Sequence, residues 1–233
     1  MLKAVRREKV SLSIMEQIRE QIVSGSFRPG DPLPPEKEMT IQLGVSKHTL
    51  REALRALEAM GLLEIRKGAG GGPVVCAVDQ GLFFDSMVNF FSFQDVSIED
   101  LTQVRALLEP YLARQAALKK DPELVLRLEE LNLACQETVA AGRSIVGGKE
   151  EIEFHVALAE SSGNQVLIAL LDFVNRFLAQ LKLAKKPGAE FSARVLASHQ
   201  AITRAIAAGD GERAAKEMEA HVLAVAKDLP DQN

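Results

Sequence analysis

The sequence predicts a mainly α-helical chain with one short two-stranded hairpin in its N-terminal part. Apolar residues recur at intervals of three and four along most of the 233 residues, which is the spacing of one face of a helix. Glycine and proline interrupt this spacing repeatedly and mark the ends of the predicted helices. Only around residues 62–78 do two short apolar runs flank a glycine-rich turn, which is the pattern of a hairpin.

The composition is that of a globular protein with two parts of opposite charge. Hydrophobic residues make up 47% of the chain and charged residues 26%, which excludes a largely disordered protein. Residues 1–78 contain 12 Lys and Arg against 9 Asp and Glu, and the remainder contains 16 against 23, so the net charges are +3 and −7. A basic part suits nucleic acid, and an acidic part suits a separate task. We therefore predict a head over residues 1–78, a connecting helix over 79–97 and an all-helical body over 98–233.

The cysteines and the apolar segments bear on where the protein acts. Two cysteines, Cys76 and Cys135, are too few for a disulfide framework, so we expect reduced thiols in a cytoplasmic protein. The first residues show no apolar core of a signal peptide. The most apolar segment, Val166 to Leu171, ends at Asp172 and is too short to cross a bilayer. We therefore expect no membrane partner.

The head is predicted to hold three helices and a hairpin. Apolar residues at helical spacing place a first helix over residues 11–24, and the prolines and glycines that follow forbid helix. A second helix then runs from Pro35 to Leu43, since proline is favoured at a first helical position. A third helix begins after Gly44, and two helices joined by a tight turn with glycine form a helix-turn-helix. Strands over residues 62–67 and 74–78 add a wing with a glycine-rich tip.

The third helix has well-defined ends and two distinct faces. Ser46 stands at its N-cap, where a hydroxyl accepts from a free backbone N–H, and Gly61 stands where a left-handed residue ends a helix. Its apolar residues share one stripe, which we expect to be buried: Leu50, Ala53, Leu54, Leu57 and Met60. The opposite arc is polar: Lys47, His48, Arg51, Glu52 and Arg55. That arc suits either a DNA-contacting surface or a solvated face on which Glu52 and Glu58 pair with the arginines.

The motifs of the head follow one another in a fixed order between Ile14 and Val75. They are the segments Leu33-Pro34-Pro35-Glu36-Lys37-Glu38, Leu43-Gly44-Val45-Ser46-Lys47, Leu50-Arg51-Glu52-Ala53-Leu54-Arg55-Ala56-Leu57-Glu58 and Gly61-Leu62-Leu63, followed by the glycine wing. This pattern resembles the winged helix-turn-helix head of GntR-type transcriptional regulators. The resemblance implies that double-stranded DNA is contacted by the start of the third helix, by a basic residue of the helix before it and by the wing tip. By position these roles fall on Lys37, Ser46, Lys47, His48, Thr49, Arg51, Lys67 and Gly68.

The side chains of this surface differ in what they can recognise. Arg51 has the planar fork that suits the O6 and N7 atoms of guanine. Lys37, Lys47 and Lys67 are point charges that suit phosphate. The family usually carries arginine where Lys47 stands and a small residue where His48 stands. We therefore expect these two positions to set the base preference that distinguishes this chain from its relatives.

Residues from 79 onward show no further strand pattern. The apolar spacing is helical throughout, and glycines and the pair Pro187-Gly188 separate the segments. The predicted helices cover residues 82–93, 98–119, 122–141, 149–162, 165–185, 189–208 and 211–229.

Three of the four histidines lie in the body, on three predicted helices. Glu151 and His155 are four residues apart and share one helix face, while His199 and His221 lie on the last two helices. One carboxylate and three imidazoles could converge as ligands of a divalent metal ion, zinc first, with nickel or manganese as alternatives. The residues alone also fit hydrogen-bonded core histidines without an ion.

The body also carries the segments Arg105-Ala106-Leu107-Leu108-Glu109-Pro110, Phe154-His155, Ser162-Gly163-Asn164, His199-Gln200-Ala201-Ile202, Gly209-Asp210 and Met218-Glu219-Ala220-His221. In these segments, residues 98–226 are similar to the FadR-like C-terminal ligand-binding domain, called FCD. The resemblance implies a metal ion held by Glu151, His155, His199 and His221. The family usually has aspartate at the position of Glu151, so Glu150 and Glu153 are alternative ligands.

Arg105 and Glu109 are four residues apart, and the simplest interpretation is an ion pair along one helix. The resemblance implies instead that Arg105 faces the cavity beside the ion, where its fork could hold a carboxylate. We therefore predict a small organic acid as the effector, bound by Arg105.

The head and the body together predict a DNA-binding transcriptional regulator of the GntR type. We expect a homodimer that acts on a near-palindromic operator and has no enzyme activity. The resemblance implies a repressor, since repression is the commoner outcome in the family. Two alternatives stay open. One is a regulator whose signal is the metal itself, and the other is a metal-dependent hydrolase with Glu150 or Glu153 as its base.

Overall fold

A computed structural model of the protein describes residues 7–68, 71–77, 80–184 and 188–228. Its contacts divide the chain into two compact units, Met1–Ser86 and Met87–Asn233. The division falls inside the segment 79–97 that we predicted to connect head and body. Several residues of the predicted elements lie outside the described ones: Ala69 and Gly70 of the wing tip, Val78, Asp79, Lys185, Pro187 and Leu229.

The first unit contains three helices and an antiparallel hairpin: α1 (Arg7–Val23), α2 (Glu36–Leu43), α3 (Lys47–Ala59), β1 (Leu63–Arg66) and β2 (Gly72–Val75). The hairpin pairs Leu63 with Val75 and Arg66 with Gly72. The predicted helix-turn-helix with a wing is confirmed. The first helix begins four residues earlier than predicted, and both strands differ from their predicted bounds by one to three residues.

The ends of α2 and α3 follow from three residues. Ser46 caps α3, since its hydroxyl accepts a hydrogen bond from the backbone N–H of Thr49. Gly44 and Gly61 adopt left-handed backbone angles, with φ of 63° and 72°, which glycine adopts without steric cost. These residues fix the turn between the two helices and the start of the strand that follows.

Four of the five apolar residues predicted to be buried on α3 lie inside the head: Leu50, Ala53, Leu54 and Leu57. They pack in one cluster with buried residues from the rest of the unit: Ile14, Leu33, Met39, Leu63 and Val75. The prediction is wrong for Met60, which is 54% exposed. Met60 lies at the C-cap of α3, where the helix ends and no further turn carries the apolar stripe over the core.

The second unit is helical throughout its described elements. The helix α4 (Gln80–Phe91) crosses the division between the units. Six more helices follow: α5 (Ile98–Lys119), α6 (Pro122–Ala140), α7 (Lys149–Ser161), α8 (Gln165–Ala184), α9 (Ala189–Ala207) and α10 (Gly211–Asp228). Their bounds agree with the predicted ones to within two residues. Among the described residues, none of the helices is long and apolar enough to span a membrane.

Helices α5, α6, α7, α9 and α10 contribute to one apolar core, whose buried residues include Leu128, Phe154, Ile202 and Met218. A capping box fixes the start of α5, since Ser97 Oγ accepts from the N–H of Asp100 and the Asp100 carboxylate accepts from the N–H of Ser97. The same unit also buries histidine and charged side chains.

Leu57→Ala should destabilise the head by about 2–5 kcal/mol, because it removes buried methyl groups and leaves a cavity in the core. Met60→Ala should change the free energy of unfolding by less than about 0.5 kcal/mol, because Met60 is exposed. Urea titrations of both variants, followed by circular dichroism, measure the two changes. Equal losses in the two variants would contradict the placement of Met60 outside the core.

Candidate functional site

The outer arc of α3 is open to solvent, and so are Lys67 and Gly68 of the wing. Seven of the eight residues predicted to contact DNA are exposed: Lys37, Ser46, Lys47, His48, Arg51, Lys67 and Gly68. The exception is Thr49, which is only 8% exposed and whose Oγ1 lies 2.8 Å from Ser46 Oγ. Thr49 therefore completes the cap of α3 and presents little of its side chain to a partner.

The two glutamates of α3 have partners other than the arginines. Glu52 Oε1 lies 3.3 Å from Nε2 of His48, and Glu58 accepts a hydrogen bond from the N–H of Ile65 at 3.2 Å. The alternative interpretation of this arc, with both glutamates paired to arginines along the helix, is therefore not what the structure shows. One of them supports the hairpin instead.

Glu36 belongs to this surface and was not predicted from the sequence. Its carboxylate accepts from Arg51 Nε at 3.1 and 3.2 Å, and Lys47 Nζ lies 3.6 Å from it. Glu36 stands in the proline-rich motif, but only the packing of α2 beside α3 shows which cations it meets. Exposed ion pairs of this kind contribute about 0–1 kcal/mol, so a stronger anion can compete for the cations at little cost.

A groove of about 640 Å³ lies between the start of α2, α3 and the hairpin. Its lining includes Glu36 and Arg51 together with Arg66 and Gly68 of the wing. The N-terminus of α3 adds unpaired backbone N–H groups and the positive end of a helix dipole. Cations from two elements and a helix N-terminus make this side of the head suitable for a polyanion.

Three histidines meet inside the second unit. His155 of α7, His199 of α9 and His221 of α10 are buried, and each places a ring nitrogen within 4.8 Å of the others. The ring centroids lie 5.0 Å apart for His155 and His199, 5.2 Å for His155 and His221, and 4.7 Å for His199 and His221. Phe154 stacks on His199 with the ring centroids 3.9 Å apart and the planes nearly parallel. The structure thus brings together the three imidazoles that the sequence singled out.

Several nitrogens of this group are buried without a partner. Within the described residues, both ring nitrogens of His199 and Nε2 of His221 make no hydrogen bond. A buried polar atom left in this state costs about 1–3 kcal/mol. Burial lowers the pKa of all three histidines, which favours the neutral form that binds metals. Three buried imidazoles, two of which have nitrogens without a partner among the described residues, fit a borderline divalent ion such as zinc.

Arg105 and Glu109 of α5 form a buried ion pair beside His155. Arg105 Nε donates to Glu109 Oε1 at 2.7 Å, and its Nη2 donates to Oε2 at 3.1 Å. The same Nη2 lies 3.0 Å from Nε2 of His155, and Glu109 Oε2 lies 3.0 Å from Nδ1 of that ring. Burial alone would raise the pKa of Glu109, but Arg105 and His155 outweigh it and hold the pKa well below its usual value. Arg105 therefore forms the predicted ion pair and also contacts the imidazole of His155.

Glu151 has partners of its own. Its carboxylate forms a buried ion pair with Lys182 of α8 and accepts a hydrogen bond from the N–H of Gly147 at 2.7 Å. Burial alone would raise the pKa of Glu151, but Lys182 and the hydrogen bonds outweigh it and lower the pKa. Among the described residues, the group of mutually close ligand atoms contains the three histidines and not Glu151. A lysine of another helix holds the carboxylate of Glu151, so its ligation of an ion stays a prediction.

The other predicted acidic ligands are not in this group either. Glu150 and Glu153 are partly exposed, and Glu153 Oε1 lies 3.5 Å from Lys149 Nζ. The carboxylate in contact with an imidazole is that of Glu109, which we had assigned only to an ion pair. Lys182 was not predicted at all.

The sequence did contain a signal for Lys182. It follows Leu171 and Leu178, both buried, by eleven and four residues, and therefore shares their face of α8. A lysine on a buried helix face requires a carboxylate partner. The spacing identifies the need for a partner but does not say which carboxylate supplies it.

His221 connects the imidazole group with the surface. It borders a groove of about 470 Å³ between α9 and α10, whose lining also includes Phe191, Arg194 and Asp228. Arg194 is paired there with Asp228 at 2.8 Å. The group is therefore buried but has one member next to an open groove.

Glu151→Gln should lower the free energy of unfolding by about 3–5 kcal/mol, because it leaves the ammonium of Lys182 buried without a counter-charge. Glu153→Gln is the matched control on the same helix, since its pair with Lys149 is exposed and should contribute less than about 1 kcal/mol. Urea titrations in the presence of a chelator measure both changes without a contribution from bound ions. A loss for Glu151→Gln that does not exceed the loss for Glu153→Gln would argue against a buried ion pair.

Residues 10–71 match the family described as bacterial regulatory proteins, gntR family, and residues 100–224 match the FCD domain. An uncharacterised HTH-type transcriptional regulator of Mycobacterium tuberculosis is 31% identical, over 94% of this chain and 89% of that protein. The HTH-type transcriptional regulator LutR of Bacillus subtilis is 32% identical, over 88% of this chain and 94% of its own. The HTH-type transcriptional repressor NanR of Cronobacter sakazakii is 28% identical, over 94% of this chain and 85% of its own.

A solved structure agrees with these relatives. A GntR protein of Streptococcus agalactiae has a TM-score of 0.67 and 25% identity, over 93% of this chain and 99% of that one. The similar proteins are transcriptional regulators rather than enzymes, so the metal-dependent hydrolase is no longer an alternative. The resemblance of the head and of the body is confirmed, and the chain belongs to the GntR family of bacterial transcriptional regulators, with an FCD domain following its DNA-binding head.

Proposed function

We propose that this regulator binds a double-stranded operator as a cytoplasmic homodimer, and that a small carboxylate held beside a divalent metal ion controls that binding. The observation that carries the proposal is the buried group of His155, His199 and His221, in which His199 and His221 have nitrogens without a partner among the described residues and His155 contacts Arg105. Repression is the outcome we propose, since the relative NanR is named a repressor.

The proposed DNA surface is the exposed start of α3 with the adjoining parts of α2 and the wing. Its contacts are Lys37, Ser46, Lys47, His48, Arg51, Lys67 and Gly68, while Thr49 supports the cap from inside. Glu36 engages Arg51 at Nε, so the terminal nitrogens of the guanidinium stay available for a guanine edge. Lys47 sits at the helix N-terminus and suits a phosphate.

The proposed ion would be held by His155, His199 and His221. Zinc is the first candidate, with nickel and manganese as alternatives, because neutral imidazoles suit borderline divalent ions. A bound ion would supply a Lewis-acid position for one carboxylate oxygen of the effector. Arg105 lies beside His155, but Glu109 already engages its fork, so an incoming carboxylate must share the guanidinium or compete with Glu109.

The proposed control requires an energetic link between the body and the head. Two recognition helices of a dimer enter successive major grooves about 34 Å apart, so an effector acts by changing how well two heads fit that spacing. The free energy of this link can be no larger than the difference in effector binding free energy between the head spacing that fits the operator and the one that does not. Such differences are commonly about 1–3 kcal/mol. We propose that it passes through residues 79–97, which connect the two parts.

A second candidate is a regulator whose signal is the metal ion itself. The observation that favours it is the engagement of Arg105 by Glu109, which leaves no preformed free fork for an acid. Operator affinity measured with zinc alone, and with zinc plus a panel of carboxylic acids, separates the two candidates. A change produced by zinc alone supports the metal sensor, and a change that needs the acid supports the first proposal.

Arg51→Ala should weaken operator binding by about 1–3 kcal/mol and reduce the discrimination between operator and scrambled DNA, because a guanine-reading fork is lost. Lys47→Ala should weaken binding to both DNAs and lower the salt dependence by about one unit of slope, because one phosphate contact is lost. Fluorescence anisotropy titrations at several salt concentrations measure both effects. If Arg51→Ala lowers the two affinities equally, Arg51 does not read bases.

Zinc should raise the unfolding temperature of the protein, and a chelator should reverse the change. With zinc at 100 times its dissociation constant, the gain is about 2.7 kcal/mol. His199→Ala removes a proposed ligand and should abolish most of the shift, whereas His48→Ala in the head should leave it intact. Differential scanning fluorimetry measures the shifts, and a shift that survives His199→Ala would place the ion elsewhere.

A further inference from the structure

Four fully charged side chains are buried among the described residues, and all lie in the body: Arg105, Glu109, Glu151 and Lys182. They form two ion pairs, Arg105 with Glu109 and Lys182 with Glu151. Each carboxylate is therefore matched by one cation, and the formal charges of the four sum to zero. The imidazoles add no charge in the neutral form that binds an ion.

Both ion pairs lie within electrostatic reach of the imidazoles. Arg105 and Glu109 contact His155 directly. Lys182 holds the carboxylate of Glu151, which lies one turn before His155 on α7. The balance of charge at the imidazoles is thus set by both pairs together.

A divalent ion would bring two positive charges into a buried site that is already balanced. Charges in a protein interior are stable only when they are paired and hydrogen-bonded. Glu151 is one turn from His155 and could offset part of this charge, but Lys182 already holds its carboxylate. The missing negative charge has to arrive with the ion.

We propose that the ion enters this site together with an anion, and that the anion is a small dicarboxylate whose two charges balance those of the ion. This inference rests on the proposed function, because it assumes that His155, His199 and His221 hold a divalent ion. One carboxylate lies at the ion, and the second extends toward Arg105. Each ligand then strengthens the binding of the other by the same factor.

Lys182 sets the preference for dicarboxylates over monocarboxylates. With Lys182 in place, the carboxylate of Glu151 is neutralised, and the ion requires two further negative charges. Without Lys182, Glu151 supplies one of these charges, and a monocarboxylate supplies the other. Lys182 is therefore a specificity-determining residue that acts through Glu151.

The test measures the zinc affinity of the full chain by competition with a chromophoric chelator, at constant ionic strength. The acids are compared at equal carbon number: succinate with butyrate, and malonate with propionate. After correction for zinc complexes of the free acids, the dicarboxylates should strengthen zinc binding at least about tenfold and the monocarboxylates less than about threefold. Calorimetry should show that zinc strengthens succinate binding by the same factor.

Variants of the Lys182 pair test the cause of the preference. Lys182→Met should remove the preference for dicarboxylates, so that butyrate strengthens zinc binding as much as succinate does. Glu151→Gln combined with Lys182→Met removes both charges without leaving one unpaired, and should keep the dicarboxylate preference. Lys149→Met, at an exposed position of α7, is the control for the loss of a lysine and should change nothing.

Equal strengthening by both kinds of acid would overturn the inference, as would tight zinc binding that no acid improves. A dicarboxylate preference that survives Lys182→Met would overturn the role of Lys182. If that variant fails to fold, Lys182→Gln, which is also uncharged and can donate a hydrogen bond to Glu151, replaces it in the same comparison. Loss of zinc binding by more than about tenfold in the double variant would show that Glu151 supports the ion while it is paired with Lys182, and would overturn its assignment as a neutralised carboxylate. The proposed function fails separately, if neither zinc nor any acid changes operator affinity.

Discussion

The burial of charge inside a helical bundle is the constraint on which the body of this protein depends. An ion in a protein interior loses its hydration, and only a counter-charge with hydrogen bonds compensates that loss. Arg105 and Glu109 meet this condition within one helix, whereas Lys182 and Glu151 meet it between α8 and α7. The pair of Lys182 with Glu151 joins α8 to α7, and Arg105 and Glu109 reach α7 through His155, so a shift of these helices would leave buried charges without partners.

The head uses charge in the opposite way. Its cations stand on the surface, and the pairing of Lys47 and Arg51 with Glu36 is open to water. Such pairs are weak, so they can be exchanged for contacts with a polyanion. Rigidity comes instead from the apolar core under α3 and from the glycines that end α2 and α3. The two parts of the chain thus place their charges where their tasks require them, strongly paired inside and exchangeable outside.

Features encoded within a few residues could be predicted from the sequence. The cap at Ser46, the left-handed Gly61 and the helical spacing of the body each depend on close neighbours, and the structure has all of them. Partners far apart in sequence could not be predicted, because periodicity identifies a helix face without identifying what it meets. Glu36 lies 15 residues from Arg51, and Glu151 lies 31 residues from Lys182. The convergence of the histidines was accessible through the family resemblance rather than through spacing.

The parallel stack of Phe154 on His199 has a consequence for any ligand of this centre. A histidine that binds a metal is usually oriented by a hydrogen bond through its second nitrogen, which occupies that nitrogen. Here an aromatic face orients the ring, and both nitrogens remain without a partner among the described residues. The rotational freedom of the imidazole is lost when the chain folds and not when a ligand arrives, so the centre is preorganised. Under the proposed function, a core phenylalanine would thereby contribute to ligand affinity without touching the ligand.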